Sequence, residues 1–172
     1  MDLKRGGLDR KIVRLIKEDQ IKMSPDISLK KIGFCDIEFL WRLRNQPDVY
    51  KYFKNNNPVS WKEHINWTIP IVLGISDKDV FVIKKIGKRV GQVKFDYKTS
   101  DIGISILKEF RGGEIATEAL ALAIQEIKKK KKAKRLIAEI HKDNISSQKL
   151  FEKLSFKLES RNGEWIKYIL EI

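Results

Sequence analysis

Apolar residues recur along this chain at two periods, and the switches between them mark out its elements. Val80 to Lys85 and Arg89 to Tyr97 read as strands, with Phe81 and Ile83 alternating, and Gly87-Lys88 between them predicts a hairpin turn. Ile102 to Leu107 is another apolar run of strand length. Beyond it Leu120, Ala123, Ile124 and Ile127 fall at i, i+3, i+4 and i+7, the stripe of an amphipathic helix. Ile27 to Ile32 predicts a first strand. Asp36 to Asn45 predicts a helix with Phe39 and Leu40 turned inward, and Pro47 opens a second short one. Ser60 caps a third, running through Trp61, His64, Ile65 and Trp67. Arg135 to Ile140 reads as a strand, Asn144 as the N-cap of a helix from Ile145 to Leu154, and Phe156 to Glu159 as the start of a further strand. The order β-α-α-β-β-β-α-β-α-β-β predicts an α/β (α+β) fold: a mixed, mostly antiparallel sheet of six to seven strands with helices on both faces.

Composition narrows the class. Residues 1–26 form a basic arm, in which Ile12, Val13, Leu15 and Ile16 hint at a short helix, and residues 27–172 hold one domain. Hydrophobic residues at 42% beside 34% charged ones fit a globular protein. No apolar run approaches the ~20 residues of a membrane span, and Met1 to Gly7 lacks the apolar core of a signal peptide. Cys35 has no second cysteine to bridge to, which predicts a cytoplasmic protein with Cys35 as a small hydrophobe, buried or half-buried. Monomer and homodimer both stay open.

A net charge of +13 points to an anionic partner. The densest run, Lys128 to Lys134, falls where the central helix should end and complements its dipole while staying solvated. No aromatics interleave with it, as a single-stranded nucleic-acid platform requires. A polyanionic cofactor and a nucleotide-linked substrate account for the charge equally well.

Chemistry enters between Ile102 and Leu120. The apolar run passes through Arg111-Gly112-Gly113-Glu114-Ile115-Ala116-Thr117 straight into the helix. Strand, glycine loop and helix N-terminus make an anion site, because N–H groups without helical partners converge there and the dipole favours negative charge. A pyrophosphate is the natural guest. By itself a Gly-Gly at such a junction is also an ordinary turn.

Two motifs together carry a resemblance. Arg111-Gly112-Gly113-Glu114-Ile115-Ala116 resembles the Arg/Gln-x-x-Gly-x-Gly/Ala loop of the GNAT acetyl-CoA-dependent N-acetyltransferases. Leu136-Ile137-Ala138-Glu139-Ile140, Asn144, Ser147 and Leu150 to Phe156 resemble that superfamily's closing segment. The resemblance implies acetyl-CoA as co-substrate, no metal, and a cofactor site made of Ile106, Leu107, Arg111, Gly112, Gly113, Glu114, Ile115, Ala116, Thr117, Asn144, Phe151 and Lys153. Ile106 and Leu107 would run beside the pantetheine and offer backbone hydrogen bonds. Glu114 stands where glycine is usual. Its carboxylate must point away from a pyrophosphate, and a requirement for positive φ there would strain it.

Glu139 matches the glutamate that deprotonates the amine in ribosomal-protein N-acetyltransferases. The alternative is an exposed strand carboxylate paired with Lys142 or Lys134. Phe151 replaces the family's usual tyrosine and cannot protonate a thiolate. Tyr168, Ser147 or water could take over, or the thiolate leaves unaided. Trp41 to Val49 and Ser60 to Trp67, with Val90 to Phe95, resemble the nucleotide-aminosugar N-acetyltransferases of pseudaminic acid biosynthesis. That resemblance makes Arg44, Asn45, His64 and Trp67 substrate-binding candidates, with Trp61 or Trp67 stacking on a uracil or sugar. Core packing for the tryptophans, capping for Asn45 and a helix-surface role for His64 are the competing readings. N-terminal acetylation of ribosomal proteins is the second function, and a non-catalytic acyl-CoA-binding or nucleic-acid-binding protein is the rival class.

Overall fold

The computed structural model describes residues 26–172, so the helix hinted at around Ile12 to Ile16 lies outside the described residues. The chain runs β1 (Ile27–Lys31), α1 (Ile37–Arg44), α2 (Pro47–Tyr50), α3 (Trp61–Val72), β2 (Lys78–Lys85), β3 (Lys88–Asp96) and β4 (Ile102–Ile106). It continues α4 (Ile115–Lys129), β5 (Arg135–His141), α5 (Ile145–Lys153), β6 (Lys157–Asn162) and β7 (Trp165–Glu171). The described strands form two antiparallel sheets, ordered β1-β2-β3-β4 and β5-β7-β6. They meet at one parallel bridge between Asp101 and Ile137, where the Ile137 N–H donates to the Ser100 carbonyl at 2.8 Å. The mixed character expected of the sheet is confined to that bridge.

Alternation along β2 explains why helices cover both faces. Phe81 and Ile83 join Leu120, Ala123, Ile124 and Ile127 of α4 in the main core, whereas Val80 and Val82 pack with Leu40 of α1 and Ile71 of α3. Leu136, Ala138 and Ile140 of β5 and Tyr168 of β7 enter the same main core, so the two sheets share it. Ser60 caps α3 as expected: its hydroxyl accepts from the Glu63 N–H at 3.2 Å, and the Glu63 carboxylate accepts from the Ser60 N–H at 2.7 Å.

Two buried carboxylates organise the basic surface. Asp36 accepts from the Gly33 N–H (2.9 Å), Arg89 Nε (2.7 Å) and Lys30 Nζ (3.2 Å). Burial pushes its carboxyl up, but these donors outweigh burial and hold it below the ordinary range. Its neighbour Cys35 is exposed, contrary to expectation, because Asp36 takes the inward position where the donors converge. Asp79 is ringed by Lys130, Lys31 and the Tyr97 hydroxyl. The lysine run is therefore not wholly solvated: Lys130 folds back onto Asp79 and lies 5.3 Å from the centre of the Tyr97 ring.

The β2–β3 turn is Ile86-Gly87, one residue earlier than expected, with Lys85 opposite Lys88. Both turn residues have positive φ, 47° and 76°, as a two-residue hairpin of matching twist demands. A β-branched residue is strained there, and Ile86 is exposed, so its side chain recovers little by burial. Ile86→Asn should raise the unfolding free energy by about 1 kcal/mol, read from the urea midpoint. An unchanged or lowered midpoint would show that the turn relaxes around isoleucine.

Candidate active site

Beyond the Asp101–Ile137 bridge β4 and β5 diverge, opening a cleft of about 650 Å³ between the sheets. The Leu107 N–H donates to the Val90 carbonyl at 2.9 Å, toward β3. Strand alternation then turns the peptide groups of Ile104 and Ile106 the other way, to the cleft edge. The Ile106 carbonyl confirms that direction by accepting from Arg111 Nε at 2.8 Å. Ile106 lines the cleft and Leu107 does not.

At one end the cleft closes on the loop before α4. Gly112 carries φ of +83°, which reserves that position for glycine. Gly113 has no such requirement, and a Cβ there would meet nothing within 4 Å, so the protein itself does not demand glycine at 113. Helical bonding begins with the Glu118 N–H donating to the Glu114 carbonyl at 2.9 Å. The N–H groups of Ile115, Ala116 and Thr117 precede it and have no helical acceptor. Open space above two glycines, orphan donors and a helix dipole together fit a pyrophosphate. Glu114 adopts ordinary right-handed φ of −76° and turns its carboxylate to Lys153, 3.1 Å away, so the strain anticipated at this position is absent. Arg111 is tied down as well, with Nη1 2.5 Å from Asp48. Its job here is to hold the loop against β4 and α2.

Gly112, Gly113, Ala116, Thr117, Asn144, Phe151 and Lys153 line the cleft with Arg111 and Ile106, while Glu114 and Ile115 face elsewhere. Asn144 caps α5, its side-chain oxygen accepting from the Ser147 N–H at 3.3 Å. Phe151 packs edge-on to Phe156 with ring centres 4.9 Å apart. Of the groups that could stand in for a tyrosine, Ser147 lines the cleft. Tyr168 is buried in the core and donates its hydroxyl to Glu152 at 2.8 Å; burial, then Glu152, raises that phenol's pKa.

The opposite wall is built by α1, α2 and the turn after them. Arg44 and Glu139 both reach it. Glu139 is paired with Lys54, which also lines the cleft, rather than with Lys142 or Lys134. Asn45, His64 and Trp67 stand outside it. The Asn45 amide bridges the Val59 N–H (2.8 Å) and carbonyl (2.9 Å), pinning the segment before α3. His64 is buried with Nε2 3.0 Å from the Ile37 carbonyl, and burial lowers its pKa. Trp67 packs on the core under α1 and α3. Tyr52, Phe53, Lys54, Lys94, Asp101, His141 and Trp165 occupy the wall instead. Tyr52, His141 and Trp165 form an aromatic row, with ring centres 6.1 and 5.4 Å apart. Nothing periodic marks residues 51–55, so the pattern of apolar positions passes over them. Only the Val90–Phe95 segment carried a signal, and it did not single out Lys94.

Comparison with known proteins agrees with this geometry. Residues 27–157 match the acetyltransferase (GNAT) domain family. An uncharacterized protein of Methanocaldococcus jannaschii is 32% identical over 151 residues, 81% of this chain but 30% of that protein, so the chain spans under a third of this relative. The crystal structure of a domain from the same organism superposes with a TM-score of 0.74 at 27% identity, covering 85% of this chain and 98% of that one. RimL, a ribosomal L7/L12 alpha-N-protein acetyltransferase in complex with coenzyme A, gives 0.72 at 18% identity over 88% and 97% of the two chains. The microcin C7 self-immunity acetyltransferase MccE, in complex with acetyl-CoA and AMP, gives 0.70 at 22% over 88% and 96%. These last two show a shared fold. No helix among the described residues is long and apolar enough to cross a membrane, and none of their side chains cluster as a metal site.

Proposed function

The chain belongs to the GNAT family of acetyl-CoA-dependent acetyltransferases, and on that premise we propose that it acetylates the primary amine of a nucleotide-linked amino sugar. The observation that carries this reading is the cleft between diverging β4 and β5, floored by the uncapped start of α4. Acetyl-CoA supplies the activated acyl thioester. The Gly112–Thr117 N–H groups hold its pyrophosphate, and the free edge of β4 offers an N–H to polarise the thioester carbonyl. Glu139 accepts the proton of the amine after the acceptor displaces Lys54 from its carboxylate. The Tyr52–His141–Trp165 row supplies faces for a base or sugar, and Arg44 a charge for the phosphates. That MccE binds AMP beside acetyl-CoA in the same fold supports a nucleotide-bearing acceptor.

The second reading, acetylation of a ribosomal-protein N-terminus, draws on the likeness to RimL. A free-thiol release assay separates them, with acetyl-CoA and UDP-4-amino sugars, ribosomal-protein N-terminal peptides or polyamines as acceptors. Release with the amino sugars is expected; release with the peptides alone would transfer the assignment to the second reading. Phe151→Tyr, which puts a hydroxyl beside the cleft, should leave turnover unchanged or raise it. A wild type inert toward every amine, with activity appearing only in Phe151→Tyr, would identify a protein that binds acetyl-CoA without transferring its acetyl group.

A further inference from the structure

The acceptor wall holds two cations that folding has not neutralised. Arg44 donates from Nη2 to the Asn55 carbonyl at 2.8 Å, but its Nη1 is buried and has no hydrogen-bond partner among the described residues. Lys94, in the middle of β3, has no carboxylate within ion-pair reach among the described residues; its Nζ lies 5.1 Å from the centre of the Phe53 ring. The Arg44 guanidinium carbon lies 4.3 Å from the same ring. Gly103 is the cross-strand partner of Lys94, and a Cβ there would come within 3.0 Å of Lys94 Cε, so the lysine stem lies across a position kept bare.

Two carboxylates of this wall are committed elsewhere. Asp48 is bound to Arg111 and Glu139 to Lys54. Asp101 stands beyond ion-pair distance from Lys94; burial pushes its carboxyl up, and the attraction of Lys94 offsets only part of that. Burial likewise pushes Lys94 and Arg44 down. Cations drawn partly out of water with no carboxylate at ion-pair distance oppose folding, so their placement favours a ligand that supplies the missing charge.

We propose that Arg44 and Lys94, gathered around Phe53, form an oxyanion subsite, so that the acceptor amine is carried by a molecule whose phosphate or carboxylate binds there. This rests on the acetyl transfer proposed above and adds a charge requirement to it. Polycationic amines bring like charge to this wall and are disfavoured.

The probe is UDP, titrated calorimetrically into protein saturated with coenzyme A so that the α4 loop is already filled. Lys94→Met and Arg44→Gln should each weaken UDP at least tenfold, the scale of a lost charge-assisted contact, with coenzyme A affinity unchanged. Lys94→Met keeps the stem and removes a desolvated charge, so it should melt no lower than the wild type. An acidic pentapeptide with a blocked N-terminus serves as the carboxylate arm, and the probe that binds and then loses affinity in the variants identifies the source of the anion. Equal affinity of wild type and both variants for both probes, including no binding by any of them, overturns the subsite. In the thiol-release assay, anionic amines should exceed spermidine in kcat/KM by about 100-fold, and Lys94→Glu should reverse the order. A wild type that prefers spermidine also overturns it. Variant-sensitive UDP binding with no turnover of any amine would keep the subsite and reject the acetyl transfer.

Discussion

Gly113→Val should lower acetyl-CoA affinity at least 100-fold, about 2.7 kcal/mol, and leave the unliganded protein as stable as before. The second half follows from the structure: a Cβ at 113 meets nothing within 4 Å, and this glycine is not in the left-handed region. The first half follows from where the new side chain stands. Ligand phosphate oxygens must approach the N–H groups at the start of α4 closely, and a branched side chain above the loop holds them off. Acetyl-CoA at 100 times its Kd should stabilise the wild type by about 2.7 kcal/mol, and the variant by about 0.4 kcal/mol at most. Thermal melts with and without acetyl-CoA measure both halves. Gly112→Val is the contrasting variant, since φ of +83° makes it lose stability without any ligand. Equal acetyl-CoA shifts in wild type and Gly113→Val would remove the cofactor from this loop.

Glu139→Gln should cut turnover by roughly 10²–10⁴-fold while sparing the KM for acetyl-CoA. Glutamine keeps the shape of the side chain and its place on β5 but cannot take a proton from an ammonium group. The Gly112–Thr117 loop, proposed to hold the pyrophosphate, is a different segment of the chain and is left unaltered. Single-turnover rates with a saturating acceptor measure the effect apart from binding. Wild-type rates in this variant would show that the amine loses its proton elsewhere, and Glu139 would then be the structural partner of Lys54.

Much of the scaffold was legible because local patterns dominate it. The β2 run Val80–Ile83, the α4 stripe and the Ser60–Glu63 capping box each depend on residues close in sequence, so period and cap chemistry suffice to place them. The glycine loop proposed to take the cofactor was legible as a loop for the same reason, since strand, glycines and helix start are contiguous from Ile102 to Thr117. The acceptor wall was not. Asn45, His64 and Trp67 had the chemistry of a binding site, but hydrogen bonds to Val59 and Ile37 and packing between α1 and α3 claimed them.

Residue order alone carries the succession and character of the elements, the glycine loop opening onto a helix N-terminus, and the family motifs around it. Tertiary structure alone decided that β4 and β5 part beyond one bridge, because two apolar runs look alike whether or not their backbones pair. It also decided which charges are spent and which are spare. Glu139 meets Lys54, 85 residues away in the chain, and Asp48 meets Arg111, while Arg44 and Lys94 gather around Phe53 with no ion-pair partner among the described residues. Electrostatic partnership depends on distance and burial after folding, and neither is written in the spacing of residues along the chain.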